Sequence, residues 1–194
     1  MNTIKLLRKL ENTGKAYYTP ADMAKITGLS GTALKVRVSR LKKAGVIESA
    51  GRGIYTVPGV KADPEKAAND ALYPSYISFG SALSKYGVVS EVPYVLEFAT
   101  TKPTRRKKIG GMNVLYRKLR KELFFGYSLA GGVFIAEPEK AFLDLLYMKV
   151  MGKEKGLEPD KIDRGKINRK KAMAYASKFP ERVRTAADRL LKNS

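Results

Sequence analysis

Between Thr19 and Val57 the chain carries a succession of local signals that constrains its fold more than any other feature. Thr19-Pro20-Ala21-Asp22 places a capping hydroxyl, a proline at the first helical position and an acid three residues after the cap. This is a capping box with Asp in place of Glu. It predicts a short helix to about Thr27, broken by Gly28, with Leu29 as an apolar anchor in the turn and Ser30 as the cap of a longer helix reaching Ala44, ended by Gly45. In that helix Leu34, Val38 and Leu41 repeat at i, i+4, i+7, while Lys35, Arg37, Arg40, Lys42 and Lys43 project elsewhere. An earlier helix, Thr3 to Thr13, is predicted from Ile4, Leu6, Leu7 and Leu10 and stopped by Gly14. Val46 to Val57 then gives two short β-type runs around Ser-Ala-Gly-Arg-Gly. Two helices joined by a short glycine-containing turn, the second basic, form a helix-turn-helix. A following hairpin with Arg52 at its tip makes the order that of a winged helix. The competing reading of the basic helix is an ordinary surface helix with solvated charges.

The charge balance supports the first reading. The chain of 194 residues has 38 Lys plus Arg against 18 Asp plus Glu, a net charge of +20. The excess occurs in the N-terminal, middle and C-terminal parts alike, and a surface of this kind suits a polyanion, since clustered cations release counterions from nucleic acid. Cys, His and Trp are absent, which removes disulfides, thiolate and imidazole metal sites, Ser-His-Asp triads and Cys nucleophiles. No catalytic residue, bound metal or cofactor is expected. The N-terminus has no secretory signal, and no apolar run approaches the roughly 20 residues of a membrane span. A cytoplasmic protein without a membrane partner is expected.

The organisation predicted is α+β: a winged helix-turn-helix over 1–60, a linker over 61–72 and a mixed α/β domain with terminal helices over 73–194. Asp63 and Pro64 can start a linking helix within Ala62 to Ala71. Beyond it, Ser75 to Tyr86 reads as a helix, and Val92 to Ala99, Met112 to Leu119 and Gly132 to Ala136 read as strands. Glu137-Pro138-Glu139-Lys140 starts a helix that buries Ala141, Phe142, Leu145 and Leu146. Helices over Asn168 to Phe179 and Pro180 to Leu191 close the chain. Thr100 to Gly111 reads as an exposed loop in which Arg105, Arg106, Lys107 and Lys108 repel one another unless an anion binds; phosphate contact and a solvated hairpin tip stand as equal readings.

The winged-helix start, then YISFGSALSKYGV, FATTKPTRRKKIGG, FFGY and AEPEKAFLDLLY in that order, resemble AbiEi-type antitoxins, also described as predicted transcriptional regulators of viral defence systems. The resemblance covers roughly residues 3 to 190, but the tail from Met151 matches only in helical character. It implies a two-domain protein of a type IV toxin–antitoxin, abortive-infection operon. The winged helix would bind repeats in its own promoter and repress it, and the second domain would counter a nucleotidyltransferase toxin without a stable complex. The DNA contacts it implies fall on Ser30, Thr32, Lys35, Arg37, Arg40, Lys43 and Arg52, and the antitoxin segment it implies includes Tyr76 to Gly87 and Thr100 to Gly111; Arg105, Arg106, Lys107 and Lys108 join the candidate DNA contacts on their charge alone. The partner would be double-stranded DNA, bound by a monomer in solution that pairs on the operator.

Two other readings compete. A stand-alone winged-helix regulator with a ligand-sensing or dimerising second domain shares the first sixty residues. A metal-dependent nuclease would need acids converging on a metal with a lysine, from Glu97, Glu137, Glu139, Lys140 and Asp144. Glu139 and Asp144 are five residues apart and do not share a helix face well, and capping explains Glu137 and Glu139 more simply.

Overall fold

The computed structural model describes residues 2–60, 63–91, 93–152 and 161–192. Ala62 and Val92, predicted above as the starts of a helix and a strand, lie outside them, as do residues 153–160. The protein is α+β and divides into two compact units, Met1–Ala71 with Lys107–Asn113, and Leu72–Arg106 with Val114–Ser194.

The first unit follows its local signals closely. Helix α1 spans Thr3–Asn12, α2 Pro20–Thr27 and α3 Gly31–Lys43; strands β1 (Glu48–Gly51) and β2 (Ile54–Thr56) pair antiparallel; α4 spans Pro64–Ala71. The backbone of Tyr18 exchanges two hydrogen bonds with Tyr55, of 2.8 and 2.9 Å, so an isolated antiparallel bridge ties the segment before α2 to the hairpin. The core gathers Leu6, Leu10, Tyr18, Met23, Val38, Leu41 and Ile47, with Leu34 packed at its margin. The Tyr18 hydroxyl is satisfied by donating to the Leu10 carbonyl at 2.6 Å.

At the start of α2 the capping box is complete. The Asp22 backbone N–H donates to Thr19 Oγ1 at 3.2 Å, and the Thr19 N–H donates to Asp22 Oδ2 at 2.9 Å. Burial alone would raise the Asp22 pKa, but the Thr19 N–H and hydroxyl and the Lys15 ammonium, 2.9 Å away, outweigh it and hold the carboxyl below its ordinary value. The folded state therefore binds this proton less readily than the unfolded chain does. Its stabilisation is full above the ordinary carboxylate range and is lost as pH falls through the folded value. We predict that Asp22→Ala costs about 1 kcal/mol of stability at neutral pH, and that chemical denaturation shows the difference from the parent shrinking towards pH 2.

The larger sheet has the order β5-β6-β4-β3-β8-β7, from β3 (Ser75–Ile77), β4 (Val95–Thr100), β5 (Arg105–Ile109), β6 (Met112–Lys118), β7 (Tyr127–Ala130) and β8 (Val133–Ala136); all of it but Lys107–Ile109 of β5 and Met112–Asn113 of β6 belongs to the second unit. Strand β3 pairs antiparallel with β4 and parallel with β8. Helices α5 (Phe79–Lys85), α6 (Pro138–Val150), α7 (Arg169–Ala176) and α8 (Glu181–Lys192) complete that unit, with α6 packed against the other three and β8. Among the described residues, no helix is long and apolar enough to cross a membrane.

Two sequence expectations change here. Ser75 to Tyr86 is not one helix: its first three residues form the central strand β3, and the helix begins only at Phe79. All residues from Ser75 to Leu83 are buried, so neither a two-residue nor a 3.6-residue period could show in the pattern. The basic run is not a loop but the edge strand β5, joined to β6 through Gly110-Gly111. Alternation sends Arg105 and Lys107 to one face and Arg106 and Lys108 to the other, which relieves the repulsion expected of four adjacent cations. Charged side chains on an edge strand also discourage pairing with another chain.

Candidate nucleic-acid interface

The stripe Leu34, Val38 and Leu41 fixes how α3 sits. Val38 and Leu41 are buried and Leu34 half-buried against the core of the first unit. At about 100° per residue, the face opposite that stripe holds Thr32, Val36, Arg40 and Lys43, all exposed, and Val36 is left 44% exposed. Lys35, Ser39 and Lys42 lie on the flank turned towards the hairpin.

That flank and the hairpin enclose a cleft of about 730 Å³, lined among others by Lys35, Val38, Ser39, Lys42, Lys43, Ser49, Arg52 and Tyr55. Arg52 is exposed in the turn between β1 and β2, where Gly53 takes a φ of +71°. The register shifts between Ser49 and Gly51, so the hairpin carries a bulge just before its tip. A continuous rim of four cations thus lines one side of α3 and ends at the wing.

Residues 107–113 complete this unit. The Gly110 N–H donates to the Ala50 carbonyl at 2.9 Å, Ile109 is fully buried, and Lys107 Nζ reaches the Ala71 carbonyl at 3.4 Å. Strand β1 approaches this segment so closely that a Cβ at Gly51 would run into the Lys108 carbonyl oxygen.

The structure sorts the residues named from the sequence accordingly. Thr32, Arg40 and Lys43 share the outward face, and Lys35, Lys43 and Arg52 share the cleft. Arg37 is half-buried on the opposite flank and engaged in the surrounding structure. Ser30 stands at the N-cap position of α3 but, contrary to expectation, its side chain makes no cap hydrogen bond, because Gly31 bends through φ +55° immediately after it. Of the basic run, Arg106 and Lys108 are exposed; Lys107 is half-buried, and Arg105, though exposed, donates from Nε to the Pro103 carbonyl at 3.4 Å. Val36, Ser39 and Lys42 are absent from the contacts that the resemblance implies. Their distance round the helix from the apolar stripe is the sequence signal that points to them.

The candidate acids of a nuclease are dispersed among cationic partners. Glu97 accepts from Arg117 at 2.9 Å; Glu137 accepts from the Tyr175 hydroxyl at 2.5 Å and pairs with Lys171; Glu139 accepts from the Asn168 N–H at 3.1 Å. Lys140 and Asp144, four residues apart on α6, form an ion pair with no exposure to solvent. Lys140 Nζ also donates to the Tyr76 hydroxyl at 2.9 Å, and Asp144 Oδ2 accepts from Tyr76 at 3.0 Å and Ser78 Oγ at 2.8 Å. The ammonium lies 5.1 to 5.5 Å from the ring centres of Phe125, Phe179 and Tyr76. Burial lowers the Lys140 pKa and raises that of Asp144 against their mutual attraction. Such a closed cluster anchors α6 to β3 rather than meeting a substrate. Among the described residues, no group of three or more acids is placed to hold a metal ion.

Residues 2–48 match the family described as winged helix-turn-helix DNA-binding. No curated protein matches the chain. The N-terminal unit is therefore a winged helix-turn-helix DNA-binding domain, followed by a mixed sheet with helices.

Proposed function

We propose, from its winged helix-turn-helix DNA-binding domain, that the chain is a transcriptional regulator. We propose that it is the DNA-binding antitoxin and autorepressor of a type IV toxin–antitoxin operon, a binding protein and not an enzyme. The observation that carries the DNA half is the solvent-facing surface of α3 continued by the cleft to Arg52. In this reading α3 enters a major groove, Arg40 reads a base edge, Lys35, Lys42 and Lys43 meet phosphates, and Arg52 reaches the backbone or the adjacent minor groove. Thr32, Ser39 and Val36 complete the reading face, the last suited to a thymine methyl.

The antitoxin half rests on the resemblance of the ordered motifs to AbiEi-type antitoxins. One structural relation supports it: YISFGSALSKYGV supplies Tyr76 and Ser78, and AEPEKAFLDLLY supplies Lys140 and Asp144, so the two most distinctive motifs meet in one buried cluster. The basic run on β5 would add phosphate contacts through Arg106 and Lys108.

The test is footprinting of the full-length protein on its own upstream promoter against a scrambled duplex, at about 150 mM salt, where non-specific attraction is screened. Protection of discrete repeats is the expected result. Equal binding to both duplexes would defeat the autorepressor reading. Co-expression with a nucleotidyltransferase encoded beside it should rescue growth; failure to rescue, with footprints intact, would leave the stand-alone regulator.

A further inference from the structure

The second unit has a basic and aromatic surface for which a winged helix gives no use. Two clefts of about 610 and 750 Å³ share Lys118, Leu119 and Arg120 as a common wall. Leu119, 1% exposed, roots that wall in the core, while Lys118, Arg120 and the next residue, Lys121, are exposed. The carboxylate nearest them, Glu122, stands 3.9 Å from Arg120, with both side chains some three-fifths in water (60% and 63%). A pair so exposed is worth little and yields readily to a stronger anion.

Across the larger cleft stand Tyr73, Phe124 and Tyr127. Phe124 packs at 4.8 Å against Tyr76 and at 5.2 Å against Tyr127, so packed aromatic rings form the cleft floor. Tyr73 is different: the residue is 72% exposed. A large ring left in water beside three cations matches the pairing of stacking platforms with backbone charges found in single-strand sites. In a duplex each base face is covered by its neighbours, whereas an unpaired base can be splayed onto a protein ring.

We propose that this groove binds a short single-stranded nucleic acid, with phosphates on Lys118, Arg120 and Lys121 and a base stacked on Tyr73. The proposal goes beyond the operator-binding reading and does not depend on it, because every residue it uses lies in the second unit.

The chain has no tryptophan, so Tyr73→Trp places a single reporter at the site. Full-length Tyr73→Trp is titrated with oligo-U, oligo-dT and a mixed duplex, each of about 12 nucleotides or base pairs, within the usual range of single-strand site sizes. Single strands should quench the fluorescence at a midpoint about tenfold or more below that of the duplex, and the tighter of the two assigns RNA or DNA as the source. Adding Arg120→Ala and Lys121→Ala should weaken the single-strand signal by about tenfold and reduce the salt slope by about 0.7 for each phosphate no longer neutralised. No quenching, equal quenching by the duplex, or quenching indifferent to the two cations would overturn the proposal. A thermal melt like the parent's establishes that the variants are folded. Strands held only by the winged helix would leave the indole fluorescence unchanged, which separates failure of this site from failure of the operator reading.

Discussion

Asp144→Ala should destabilise the second unit by about 3–5 kcal/mol, because it strands the Lys140 ammonium in a site with no solvent. The Tyr76 hydroxyl and three aromatic rings remain as partners, but none carries a formal negative charge. Lys140→Met should cost less at neutral pH, since Asp144 keeps the Tyr76 and Ser78 donors. It should also change the pH profile. Burial already raises the Asp144 pKa above its ordinary value, and with the lysine gone that effect is opposed only by hydroxyls. A carboxyl whose folded pKa is raised contributes stability below the unfolded pKa, and that contribution is lost as pH rises through the folded value. Lys140→Met should therefore lie closer to the parent at pH 4 than at pH 7. Replacing both residues, Lys140→Met with Asp144→Leu, and Tyr76→Phe to remove the hydroxyl that would lose its acceptor, should recover most of the loss. Urea unfolding at the two pH values measures all three. A loss below about 1 kcal/mol for Asp144→Ala would mean that water reaches the pair.

This cluster shows where the sequence could and could not be read. Lys140 and Asp144 stand at i and i+4, a spacing visible in the sequence, yet a pair at that spacing is ordinarily a surface pair. Its burial follows from α6 being enclosed along Glu139 to Met148, which comes from long-range packing by α5, α7, α8 and β8. The first unit was legible because its signals are local: a capping box at Thr19, glycine stops at Gly14, Gly28 and Gly45, and an apolar stripe on α3. Strand β3 was not, because its residues are buried whichever way they point. Strand β5 was hidden for the opposite reason, since four cations carry no apolar alternation and only its neighbour β6 makes it a strand.

Arg40→Ala is expected to weaken operator binding by about 1–3 kcal/mol, roughly 5-fold to 150-fold, and to relax preference at one base position. Arg40 lies on the exposed face of α3, opposite the residues that anchor the helix, so truncation should leave stability nearly unchanged. Lys42→Ala and Lys43→Ala should weaken all sequences alike and reduce the salt slope by about 0.9 for each phosphate no longer neutralised. Arg37→Ala should act mainly on stability, since that side chain is half-buried and engaged. Titration of operator and scrambled duplex at several salt concentrations separates these outcomes. A uniform loss from Arg40→Ala would reassign it to a phosphate.

The segment Lys107–Asn113, which seats Ile109 and Gly110 against β1, gives the DNA-binding unit a timetable. At about 5–20 residues per second, a ribosome that has added Ala71 needs roughly 2–8 s more to reach Asn113. For that interval the helix-turn-helix and wing exist without the segment that seats against β1. A message cut short before this point would yield a fragment carrying every side chain proposed to read bases, on an unfinished scaffold. The DNA-binding unit that the first 71 residues begin is thereby completed only by seven residues encoded well downstream.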